Sequence, residues 1–142
     1  MWLLTPFGFF SIVAHRENKH FVLVRARVAR DALDFVSFIE GANGDIDVQP
    51  PSPIVETEDA DYRFRFVATR RAIGHALSVF VTGDLEYDNF KNEVYRTQGV
   101  ARANLYGHVW HMLREGLQSN VAADERPPPT RARRPRPRGS AR

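Results

Sequence analysis

The arginines are the residues whose spacing suggests chemistry first. In Phe21 to Val28, Val22, Val24, Ala26 and Val28 alternate with Arg25 and Arg27; in Tyr62 to Ala68, Tyr62, Phe64, Phe66 and Ala68 alternate with Arg63 and Arg65. A period of two marks half-buried strands. With both apolar faces turned inward, Arg25, Arg27, Arg63 and Arg65 share the outer face of an antiparallel sheet. Sheet-faced RNA binders use such a surface but also stack bases on exposed aromatics. Here the aromatics of these runs alternate to the other side, and only Phe21 and Leu23 share the arginine face. The plainer alternative is a solvated face whose arginines pair across strands or with Glu56 and Glu58. A second set, Arg131, Arg133, Arg134, Arg136 and Arg138, is spaced by proline within Arg126 to Arg138. An extended string of this kind binds phosphate backbones by counterion release, without sequence preference.

The other reactive side chains are sparser. His108 and His111 lie three residues apart, on adjacent turns of one helical face, with Glu115 four residues further on. They are weak candidates for metal ligands, since a site needs a third donor such as His75 and no local motif supplies it. His15 and His20 flank a polar hairpin connection. Asp59, Asp61, Asp84, Glu86 and Asp88 gather near the starts of a strand and a helix, where they can hold Mg²⁺ or share acid–base work. Asp88 is more simply read as a helix cap. There is no phosphate-binding P-loop, dinucleotide glycine motif, nucleophile elbow or His-Glu-x-x-His. No cofactor is expected.

Charge separates along the chain. The 142 residues carry a net charge of +3, yet seven arginines and only two acids, Asp124 and Glu125, lie from Val121 onward. Residues 1–120 hold 13 basic and 15 acidic side chains. The body is therefore slightly acidic, which argues against a domain that coats nucleic acid with its whole surface. The absence of cysteine excludes disulfides, thiolate metal sites and cysteine nucleophiles, and fits a cytoplasmic setting. The apolar opening, Met1 to Val13, has no preceding positive charge and no cleavage site. Pro6 and Gly8 interrupt it and it is too short to span a bilayer, so it is expected to be a buried strand with a short lead-in.

The elements that must position these groups follow a repeating order. Strands are expected at Phe7 to Ala14 and Phe21 to Val28. A helix follows, with Asp31 as N-cap, Ala32, Phe35, Val36 and Ile39 on its buried face and Gly41 as its stop. Ala42 to Pro53 reads as turn and loop with at most a short strand at Asp45 to Val48, and Ile54 and Val55 open another short extended stretch. After an acidic turn, the strand Tyr62 to Ala68 leads into a helix capped by Thr69, with Ile73, Ala76, Leu77 and Phe80 inward, ending at Gly83. Asp88 to Gly116 is helical, with Phe90, Val94, Ala101, Leu105, Val109 and Met112 as its stripe and a break at Gly99 as the alternative. The expected fold is a two-layer α+β sandwich, an antiparallel sheet with helices on one face in ferredoxin-like manner, in the order β-β-α-β-β-α-α. One domain is expected over residues 1–120, followed by a disordered arginine- and proline-rich tail over 121–142.

Met1-Trp2-Leu3-Leu4-Thr5-Pro6-Phe7-Gly8-Phe9-Phe10-Ser11, Asp61-Tyr62-Arg63, Tyr87-Asp88-Asn89-Phe90-Lys91 and Tyr106-Gly107-His108-Val109-Trp110 together resemble a family of small bacterial proteins without assigned activity. The likeness covers roughly residues 1–117. It implies a bacterial cytoplasmic origin and one compact domain, and it assigns no activity, ligand or site residue. The expected function is a non-enzymatic binding or assembly module with an accessory basic tail. It would meet a protein partner or a second copy through surplus apolar residues of the last helix (Leu105, Val109, Trp110, Met112), and no membrane. The first alternative is a nucleic-acid-associated protein using the tail and the arginine face. The second is a small metal- or carboxylate-dependent enzyme near His108, His111 and Asp88.

Overall fold

The computed structural model describes residues 1–121, with side chains to Leu117. Residues 1–105 form one compact unit. From Tyr106 onward a second unit begins, of which the described part is the remainder of the last helix.

The expected α+β class holds in the first unit, with an additional strand at its start. Strands β1 (Trp2–Thr5), β2 (Gly8–Ala14) and β3 (Phe21–Ala26) form an antiparallel meander. Helix α1 (Ala29–Ala42) follows, then the two-residue strand β4 (Val55–Glu56), β5 (Phe64–Thr69) and α2 (Arg70–Val79). A π-helical turn, Phe80–Asp84, extends α2, and α3 (Phe90–Gln98) and α4 (Val100–Val121) complete the described chain. The sheet order is β1-β2-β3-β5-β4, antiparallel throughout. A ferredoxin-like sheet interleaves strands from its two halves. Here the halves lie side by side, because β3 and β5, the last strand of each half, pair directly along six residues.

The missed strand has a local cause. Thr5-Pro6-Phe7-Gly8 is a tight turn with proline at its second position and glycine at its fourth. Thr5 and Gly8 pair across it, and the Thr5 hydroxyl donates to the Gly8 carbonyl at 3.1 Å. The segment at Asp45 to Val48 forms no strand.

Alternation then decides which side becomes the core. Phe10, Ile12, Val22, Val24, Ala26, Phe66 and Ala68 leave the sheet on one face. They meet Ala32, Phe35 and Ile39 of α1 and Ala72, Ile73 and Ala76 of α2 at helical spacing. Phe35 is fully buried and its ring lies 4.5 Å from that of Phe10.

Helix ends agree with expectation at α2 and deviate at α1 and α3. Thr69 caps α2 as expected, its hydroxyl accepting from the Ala72 amide at 3.0 Å. Asp31 does not cap α1. The helix begins three residues earlier, with Val28 in the cap position and no side-chain cap, because the Asp31 carboxylate turns away to other donors. It accepts from the Phe9 amide at 3.1 Å and from both terminal nitrogens of Arg102 at 2.9 Å. Gly41 does not stop α1, which runs on to Ala42 before Asn43. Asn89, not Asp88, caps α3 by accepting from the Asn92 amide at 3.1 Å.

The helical stretch breaks at Gly99, whose φ of +84° suits glycine. The break shifts the helical phase. Val94 and Ala103 are buried, while Leu105 and Met112 of the expected stripe are more than half exposed. No helix among the described residues is long and apolar enough to cross a membrane.

Candidate functional site

Side chains opposite the core occupy the other face of the sheet. One row crosses all five strands, because cross-strand partners share a face: Trp2, Ser11, Arg25, Arg65 and Val55. Beside it lie Leu4 and Phe9 on one flank and Val13, Leu23 and Val67 on the other. Trp2 is 71% exposed, and Phe9, Val13, Leu23, Arg25, Arg65 and Val67 are each partly exposed.

This face corrects the expected separation of arginines from aromatics. The Trp2 ring stands edge-on to Phe9 at 5.8 Å, and Phe9 lies 6.4 Å from Tyr62. Tyr62 precedes β5 rather than pointing inward from it, and its ring lies 4.8 Å from the Arg25 guanidinium and 4.6 Å from that of Arg27. Alternation within the two arginine-bearing strands could not reveal these aromatics. Trp2 and Phe9 come from the hairpin before them, and Tyr62 from the turn before β5. The available signal was the Thr-Pro-Phe-Gly turn, which brings residues 2–5 against 8–11.

The four expected arginines divide into two kinds. Arg27 is paired with Asp61 through both carboxylate oxygens, and the hydrogen bond raises its pKa above the ordinary arginine value. The Arg63 Nε donates to Glu56 at 2.6 Å. These two are largely the solvated, paired arginines of the plainer reading, with Asp61 as an unforeseen partner. Arg25 and Arg65 are different. They stand directly opposite each other on β3 and β5, and neither makes an ion pair among the described residues. Arg25 donates to the Ser11 hydroxyl at 2.7 Å, and its Nε is buried without a partner. The Arg65 Nε donates to the Tyr62 carbonyl at 3.1 Å. Like charges directly opposite each other destabilise a sheet, and an anion bound between them would offset that cost.

A depression of about 430 Å³ opens on this face where the hairpin joins β2 to β3. Its polar lining is His15, Arg16, Glu17, Arg25 and Arg65, and its apolar floor is Val13 and Leu23. His15 Nδ1 accepts from the Glu17 and Asn18 amides at 3.3 Å each, which leaves Nε2 to carry the proton of the neutral ring.

The other expected residues are not drawn into this site. His108 and His111 are exposed on α4. Among the described residues, no three His, Cys, Asp or Glu side chains gather as a metal site would need. Arg131, Arg133, Arg134, Arg136 and Arg138 lie outside the described residues. Near the start of α3, Asp34, Asp84, Tyr87 and Glu93 line a second depression of about 230 Å³. Burial, and secondarily Glu93, raises the Tyr87 hydroxyl pKa above its ordinary value, while the Arg96 hydrogen bond lowers that of the Glu93 carboxyl. Asp34 and Glu93 are already paired, with Arg30 and Arg96.

No family model matches the chain, and no curated protein or solved structure matches it.

Proposed function

We propose that this chain is a non-enzymatic binding module that takes single-stranded nucleic acid on the open face of its sheet. The observation that carries this reading is the Arg25–Arg65 pair, without an ion-pair partner among the described residues, on the same sheet face as the Trp2 and Phe9 rings. Guanidinium groups meet phosphates by charge and fork geometry, and exposed rings stack bases irrespective of sequence. A single strand suits the face better than a duplex, because stacking needs bases that are already unpaired. The mildly acidic body confines attraction to this patch and to the arginine- and proline-rich tail, which adds affinity without specificity. The lack of cysteine and the resemblance to small bacterial proteins support a bacterial cytoplasmic setting for this role.

A second reading rests on a separate observation. Trp110, Leu113 and Leu117 recur at helical spacing on α4 and are each more than half exposed, as a helix that meets a protein partner or a second copy requires.

The test is a salt titration of binding to single-stranded RNA, single-stranded DNA and duplex DNA, using the full chain and a form ending at Asn120. The sheet-face reading expects both forms to bind single strands, with log affinity falling about 0.7 per phosphate contact against log salt. Failure of the shorter form to bind at low salt defeats it.

A further inference from the structure

The depression at the β2–β3 hairpin has more specific chemistry than the rest of the face. Three arginines line it, Arg16, Arg25 and Arg65, against one acid, Glu17. The lining therefore carries a net charge of about +2. The head groups of Arg25 and Arg65 turn from it toward Ser11 and Tyr62, so a ligand draws them in by a rotation of their side chains. Arg25 and Arg65 approach from adjacent strands, and Arg16 comes from the hairpin that bounds the depression. The apolar floor of Val13 and Leu23 has no hydrogen-bonding side chain. Such a lining strengthens the attraction of the surrounding charges for an anion.

We propose that Arg16, Arg25 and Arg65 form a pocket for a phosphomonoester dianion, and that it holds the terminal phosphate of a bound single strand. The inference rests on the reading of the sheet face as a nucleic-acid surface. It adds that the face has a polarity, with one end made for a strand terminus. The charge count favours an end over the middle of a strand. An internal phosphodiester carries one negative charge, whereas a monoester carries about −1.5 to −2 near neutrality, with three acceptor oxygens for three guanidinium groups.

The experiment compares one short oligonucleotide bearing a terminal phosphate or a hydroxyl, at physiological salt, on the full chain and on its Arg16→Gln variant. Terminal phosphate is expected to tighten binding at least about tenfold, the scale of one hydrogen bond to a charged group. In Arg16→Gln the ratio between the two affinities should fall toward one, even where the loss of one positive charge weakens both. Equal binding of the two oligonucleotides, or an advantage that survives Arg16→Gln, overturns the proposal. Inorganic phosphate and dimethyl phosphate, each titrated alone, separate the pocket from the strand. If neither oligonucleotide binds but inorganic phosphate does, with dimethyl phosphate inert and Arg65→Gln abolishing the effect, the nucleic-acid reading fails and the dianion pocket stands. If inorganic phosphate does not bind either, the pocket is overturned as well. A phosphopeptide that binds more tightly than the phosphorylated oligonucleotide overturns the assignment to a strand end.

Discussion

Asp31 links three parts of the first unit: it begins in α1, accepts the Phe9 amide of β2 and holds the Arg102 guanidinium of α4. Its side chain is 4% exposed and that of Arg102 18%, so removing the arginine strands a buried charge. Arg102→Ala is therefore expected to cost about 3–5 kcal/mol in denaturant unfolding. Adding Asp31→Asn should restore part of the loss, because the neutral amide still accepts from Phe9. A loss no larger than about 1 kcal/mol, the scale of an exposed ion pair, would contradict this account. Gly8 makes the arrangement possible. A methyl group there would lie 2.6 Å from the Phe10 ring and 2.8 Å from the Asp31 Cβ, so Gly8→Ala should destabilise by about 1–3 kcal/mol through overpacking. Unchanged thermal stability of that variant would show that the contact relaxes freely. Asp31 also shows how a local signal loses to a distant one. An aspartate early in a helix reads as a cap, and only Arg102, far along the chain, makes the alternative better.

At the scale of elements, the parts legible in the sequence were those governed by short-range pattern. The alternation of Val22, Val24 and Ala26, the helical spacing of Ala32, Phe35 and Ile39, and the Thr69 cap all carry their meaning within a few residues. Thr69→Ala should accordingly cost about 1 kcal/mol, read as a fall in melting temperature, with Thr69→Ser close to the parent. Equal losses from both substitutions would mean that the cap hydroxyl is not what matters. Strand β1 was less legible because its apolar residues do not alternate with polar ones and its turn lies between apolar neighbours. Its consequence is large, since it completes the Trp2-to-Val55 row and brings Trp2 beside Phe9. The last helices were legible in content but not in phase. Gly99 at φ +84° resets the helical register, which turns Leu105 outward.

At the scale of the whole molecule, the net charge of +3 describes neither part of the chain well. The tail holds more than the whole surplus, and among the described residues the sheet arginines without an ion pair are Arg25 and Arg65. The arginines of the candidate site were legible from alternation alone. Which of them lack a carboxylate was not, because Asp61 and Glu56 reach Arg27 and Arg63 only once β3, β4 and β5 are side by side. The central claim is that the sheet face, independently of the tail, holds single-stranded nucleic acid. Its most direct test is the salt dependence of single-strand binding by the form ending at Asn120, with and without Arg25→Gln and Arg65→Gln together. The account predicts that the parent binds and that the double variant loses about 1.4 from the salt slope, two phosphate contacts at about 0.7 each. A slope and affinity unchanged by the double substitution would contradict it.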